Sequence, residues 1–156
     1  AISLTGARIG FAAAPASAIS AMTKIQDHST SCPNAIAQCA AAEALRQGPS
    51  LTKEWVDSLE QRRDLMLDLI GKIPNVQVTI PQGAFYLWID VNAYMGKAGI
   101  QSTLELTDKM LVEGGVSAVP GEAFGTPGYL RLSFAVNEAQ IREGVKRMAS
   151  CLNKLV

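Results

Sequence analysis

Hydrophobic positions in the first third of the chain follow two spacings. Ile9 and Phe11 alternate with Arg8 and Gly10, a period of two that predicts a half-buried strand over 7–14. Pro15 permits a helix to start, and Ile19, Met22 and Ile25 keep helical spacing to about Asp27. After "STSC", Pro33 marks a first helical position. Residues 33–47 are alanine-rich and helical in propensity, and "QGPS" at 47–50 ends them. A third helix is predicted from about Ser50 to Lys72. Leu51, Trp55, Leu59, Met66, Leu69 and Ile73 form its apolar stripe, with Glu60, Arg63 and Asp64 elsewhere.

The period then shortens. "IPNVQVTI" predicts a short strand, "PQG" a turn, and "AFYLWIDV" a second strand with Phe85, Leu87 and Ile89 on one face. Ser102 with Glu105 suggests a capping box for a helix to about Glu113, which Gly114 and Gly115 stop. "VSAVP" and "YLRLSFA" read as strands on either side of the glycine-rich "PGEAFGTPG". Asn137 caps a last helix whose stripe is Ile141, Val145, Met148, Leu152 and Leu155. The order is β, three helices, β, β, α, β, β, α, an α/β class. The composition shift near Ser50 places a boundary there, giving 1–49 and 50–156. The second part has helices enough to cover one face of a four-stranded sheet. The first part, with one strand and an alanine-rich helix, looks like a piece of a larger sheet.

Composition narrows the functional classes. The chain has 156 residues, with 14 basic and 14 acidic side chains. That balance makes no electrostatic case for nucleic acid or an anionic membrane as partner. No apolar run approaches the roughly 18 residues of a membrane span, and no secretory signal is visible. Cys32, Cys39 and Cys151 match no zinc spacing, and one histidine, His28, precludes a histidine-based metal cluster. Buried free thiols in a reducing cytoplasm are the expectation.

Two arginines lie within predicted strands. In "YLRLSFA", Leu130, Leu132 and Phe134 share one face; Tyr129, Arg131 and Ser133 share the other. A guanidinium fixed on a strand suits a carboxylate, because its planar fork donates two parallel hydrogen bonds. Arg8 beside Gly10 is similar, since the missing side chain leaves room for a ligand. The alternative for each arginine is an internal Asp or Glu partner, or solvent at a sheet edge. "PGEAFGTPG" fits neither phosphate-loop nor dinucleotide spacing and reads as a connector. Ser29, Thr30 and Ser31 beside His28 read as a helix cap before Pro33 rather than a nucleophile and base. Tyr86 and Trp88 read as sheet surface or interface.

Taken together, "TGARIG", "STSCPNAIAQ", "PQGAFYLW", "VPGEAFG" and "GYLRLSFA" resemble the C-terminal part of class I aminotransferases. These are fold-type-I, pyridoxal-phosphate-dependent enzymes, and the resemblance is greatest to the bacterial-type aspartate aminotransferase branch. It covers essentially the whole chain. It implies that residues 1–49 are a remnant of the large cofactor-binding domain and 50–156 the small domain. It gives Arg8 the cofactor phosphate, Arg131 the substrate α-carboxylate, and Phe85 a place lining the substrate pocket. It brings the segment around Asp27, Ser31 and Cys32 towards the active site of a partner subunit, because the family works as a homodimer. The implied substrates are an amino acid and a 2-oxo acid.

In the family the lysine that holds the cofactor as a Schiff base stands in an S-K-x(7)-R arrangement with the phosphate arginine. Counting back from Arg8 puts it immediately before Ala1, outside these residues. The expectation is that this chain is inactive alone and needs an N-terminal part of the same protein. Cys32 stands where the family usually has asparagine. Asp27 stands where one branch carries an arginine for a distal carboxylate; an aspartate there cannot attract a second carboxylate and favours neutral or cationic side chains, but other branches read that carboxylate with residues outside this chain, so aspartate-type and neutral substrates both stay open. Two other possibilities are a non-catalytic stand-alone fragment with a dimerisation segment, and a pyridoxal-phosphate lyase or synthase of the same superfamily.

Overall fold

A computed structural model describes residues 2–155. Its backbone divides between Val56 and Asp57 into two units.

In the first unit no strand forms at 7–14. Residues Thr5–Ala7 make a 3₁₀ turn, and Arg8 follows in the left-handed region at φ 55°. A positive φ breaks the period of two, and the stretch to Pro15 is exposed apart from half-buried Ile9. The physical reason is pairing. A strand satisfies its backbone only against a neighbour, and every strand among the described residues lies within 77–133. Helix α1 (Ala16–Ser29) follows and contains no buried residue. Helix α2 (Ala35–Gln47) starts at Asn34, whose Oδ1 accepts from the N–H groups of Ile36 at 2.9 Å and Ala37 at 3.2 Å. The cap is therefore Asn34 and not a serine or threonine, and Pro33 precedes the helix instead of opening it. Ala37 and Ala44, seven positions apart, are the buried residues of α2.

Helix α3 (Lys53–Ile70) crosses the division in its first turn. The second unit then builds a four-stranded antiparallel sheet from β1 (Gln77–Thr79), β2 (Tyr86–Asp90), β3 (Val119–Pro120) and β4 (Tyr129–Ser133), in the order β1-β2-β4-β3. Leu87 pairs with Leu132, Ile89 with Leu130, Trp88 with Arg131 and Asp90 with Tyr129. Partners directly opposite share a face. The face bearing Leu87, Ile89, Leu130 and Leu132 is buried. It joins one core with Met66 and Ile70 of α3, Leu106 and Met110 of α4 (Thr103–Gly114), and Ile141, Val145, Met148 and Leu152 of α5 (Glu138–Asn153). Of the expected stripe of α3, Met66 and Ile73 are buried, but Ile70 takes the fully buried place expected of Leu69, which is half-buried.

Capping explains the helix limits. Ser102 accepts from Glu105 N–H at 3.2 Å, but the Glu105 carboxylate takes the Gln101 N–H at 2.7 Å, so the expected box is half made. Gly115 ends α4 in the left-handed region. Its N–H reaches Leu111 O at 3.0 Å, and Val116 N–H reaches Met110 O at 3.1 Å. In α5 both halves of the box form between Asn137 and Gln140. All three cysteines are free, but only Cys151 is buried; Cys32 and Cys39 are exposed, against expectation. Among the described residues, no helix is long and apolar enough to cross a membrane.

Candidate functional site

The helices cover one face of the sheet, and the other face carries Tyr86, Trp88, Asp90, Tyr129 and Arg131, all half-buried. This placement follows from the alternation of β2 and β4: burying Leu130 and Leu132 obliges Arg131 to point the other way. Val119 of the edge strand β3 pairs with Arg131 on its second side, so the arginine lies in the interior of the ladder and not at an edge.

The Arg131 guanidinium lies among rings. Its central carbon is 4.3 Å from the centroid of Tyr86 and 4.8 Å from that of Phe124. Trp88 meets Phe124 edge-on at 5.5 Å and stacks on Tyr129 at 5.6 Å, with only 9° between the planes. Among the described residues, no carboxylate forms an ion pair with Arg131. Asp90, the acidic residue of β2 on this face, is engaged elsewhere. It accepts from the Asn92 backbone N–H at 2.9 Å and from the Asn92 amide at 2.9 Å. The Asn92 backbone N–H holds its carboxyl below the usual range against the opposing effect of burial, helped by the Asn92 amide and the Tyr129 hydroxyl. The Asp90 charge in turn raises the Tyr129 phenol. Arg131 thus keeps an uncommitted charge packed against two aromatic rings.

Phe124 comes from outside the sheet. It ends a 3₁₀ turn, Gly121–Phe124, between β3 and β4. The Glu122 carboxylate anchors this turn at the N-terminus of α4, where Oε1 accepts from Thr103 N–H at 2.9 Å and Oε2 from the Thr103 hydroxyl. Gly121 is required by close approach: a Cβ there would sit 2.0 Å from the Thr126 carbonyl oxygen and 2.9 Å from that of Tyr129. The run taken as a plain connector therefore positions an aromatic ring over the arginine. The available signal was the phenylalanine in "GEAFG", a few residues before the strand that bears Arg131.

Phe85 departs from its expected face. Ala84 before it has φ 60°, and β2 begins only at Tyr86. The Phe85 carbonyl still accepts from Phe134 N–H at 3.0 Å, but its side chain is 39% exposed and its ring lies 4.4 Å from Tyr86. Tyr86 thereby links Phe85 to Arg131. In the first unit, Arg8 is exposed and donates from Nη1 to Thr5 O at 3.3 Å, with no ion pair among the described residues. Asp27 is exposed near the end of α1. Ser31 follows at φ 62°, its N–H bound to Gln26 O at 2.9 Å, and Cys32 is exposed beside it.

Residues 1–148 match the family described as aminotransferase class I and II. The chain belongs to that family. It is 37% identical to the aspartate/prephenate aminotransferase of Nitrosomonas europaea over 98% of its own length and 40% of that protein. It is also 34% identical to an aspartate aminotransferase of Rhizobium meliloti, over 99% of this chain and 39% of the relative. Solved aminotransferase structures share the fold. A crystal structure of the aspartate aminotransferase from Rhizobium meliloti superposes with a TM-score of 0.87 at 34% identity, over 98% of this chain and 40% of that one. The aromatic aminotransferase from Pyrococcus horikoshii superposes at 0.83 and 33% identity, over 98% and 41%. The chain therefore spans about 40% of the length of the curated relatives it matches. Class I and II aminotransferases use pyridoxal phosphate, and the expected α/β, fold-type-I architecture is that of these structures.

Proposed function

We propose that this chain is the C-terminal part of a pyridoxal-phosphate-dependent aminotransferase that moves an amino group between an amino acid, aspartate-type or neutral, and a 2-oxo acid. The observation that carries this reading is Arg131, a planar cation on the open sheet face with no acidic partner among the described residues. Such a group receives an α-carboxylate through two parallel charge-assisted hydrogen bonds. The carboxylate then fixes one end of the substrate, so that its amino group is presented in one orientation. Phe85, exposed beside Tyr86, lines the pocket for the substrate side chain.

Bound pyridoxal phosphate supplies the electron sink for the chemistry at the substrate's Cα. The residues present fit its phosphate end: Arg8 has an exposed guanidinium with only a single long hydrogen bond to its own turn. No lysine among residues 1–156 stands in the S-K-x(7)-R arrangement with Arg8, and this reading gives the Schiff-base role to a lysine outside these residues. Residues 1–49 belong with the cofactor-binding domain and 50–156 form the small domain. The protein is a cytoplasmic homodimer in which Asp27, Ser31 and Cys32 face the partner's site.

The decisive experiment is Arg131→Ala in the whole protein loaded with pyridoxal phosphate. Loss of a buried charge pair with substrate predicts a fall in amino-acid affinity of about 2–5 kcal/mol, read as KM, with cofactor binding intact. Unchanged kinetics rejects the assignment.

A further inference from the structure

We propose that Tyr86 and Phe124 are positioning residues for Arg131, two rings that hold its guanidinium with the hydrogen-bonding edge turned to a carboxylate. This rests on the reading of Arg131 as a carboxylate receptor. Nothing in the alternation of β2 and β4 requires rings at these places. Tyr86 is a diagonal neighbour of Arg131 across the ladder, and Phe124 arrives on the turn that Glu122 ties to α4.

A guanidinium has two chemically different surfaces. Its flat faces are weakly hydrated and attracted to aromatic faces, while its five N–H bonds lie in the plane. Two ring centroids lie within 5 Å of the central carbon, and rings packed in this way take up none of the N–H donors that a carboxylate needs. An arginine is more often held by a carboxylate, which would consume those donors and neutralise the charge. Here the rings restrict a flexible side chain without spending a donor, and the one acid of β2 on this face is bound to Asn92. A carboxylate then meets a pre-ordered fork and loses less rotamer freedom on binding.

The test uses the whole protein loaded with pyridoxal phosphate, and propionate as an unreactive carboxylate. Tyr86→Leu and Phe124→Leu should each raise the propionate Kd and the KM for the amino-acid donor about 3- to 30-fold, with kcat at saturation retained. Tyr86→Phe, which keeps the ring, should bind like the parent. Phe124 is 49% exposed, so its replacement leaves the core untouched, and thermal melts of every variant check this. A parental propionate Kd in either leucine variant overturns the assignment of that residue. A Tyr86→Phe variant as impaired as Tyr86→Leu overturns the role of the ring in favour of the hydroxyl. Arg131→Ala is measured alongside. Unchanged propionate binding there sinks the carboxylate reading itself, whereas weakened binding there with parental leucine variants sinks the positioning role alone.

Discussion

Gly121 shows how narrowly one residue can be specified. Its φ is unremarkable; what excludes a side chain is backbone oxygen from Thr126 and Tyr129. Neither obstacle is the end of a flexible side chain, so neither can swing aside. Gly121→Ala should therefore destabilise the protein by on the order of 3 kcal/mol, as overpacking against fixed atoms does, read as a lower denaturant midpoint. It should also displace Phe124, which lies three residues along the same turn. Much at this scale was legible in sequence. The alternation of Leu130 and Leu132 with Tyr129 and Arg131 is strong enough to place the guanidinium before any coordinates. Phe124 was not legible, because its distance to Arg131 depends on a turn closed by Glu122 and Thr103, whose contact spans 19 positions. The Arg8 conformation was hidden too, since a period of two carries no information about the sign of φ.

Among the elements, α4 depends on a residue outside itself. The first N–H groups of a helix have no partner within it. In α4 the Glu122 carboxylate accepts from Thr103, and its charge sits favourably at the positive end of the helix. Burial pushes Glu122 up, but hydrogen bonds from the Thr103 hydroxyl and from the backbone N–H groups of Glu122, Thr103 and Leu104 outweigh it and hold the carboxyl below its usual value. A depressed folded pKa contributes stability above the unfolded value of 4.5, and that contribution is lost as pH falls through the folded value. Glu122→Gln should thus be less stable than the parent at pH 7 and lose less stability on acidification below pH 4.5. Urea titrations at several pH values check both signs. The strand misread at 7–14 belongs to this scale as well. Strands are cooperative with neighbours, and a local pattern reports the willingness to pair, not the presence of a partner.

For the whole molecule, burial is divided unequally. The large side chains of the core, from Met66 to Leu155, all lie after the division at Asp57. Before it the buried apolar residues among those described are Ala37 and Ala44, while Met22, Ile25 and Ile36 are exposed. Side-chain burial supplies most helical stability, so α4 and α5 draw theirs from the core of the second unit. Leu106→Ala, at a fully buried position of α4, should cost about 2–5 kcal/mol. In native-state hydrogen exchange the loss should appear at the amides of β2, β4, α4 and α5. Much of the second core was legible from periodicity, apart from Phe85, which lies outside it, the exchange of Leu69 for Ile70, and Val91, Tyr94 and Ile100, which lie outside the regular stripes.

The stacking of Trp88 has an optical consequence. The chain has two tryptophans. Trp55 is 53% exposed, and Trp88 stands opposite Arg131 in the ladder with rings on two sides. Replacing Trp55 with phenylalanine leaves Trp88 as the single indole among these 156 residues, its emission governed by its neighbours. Titrating such a protein with propionate should change the intensity or wavelength of that emission, and Arg131→Ala should abolish the change. The sheet face would then report its own occupancy as light, with no reaction needing to occur.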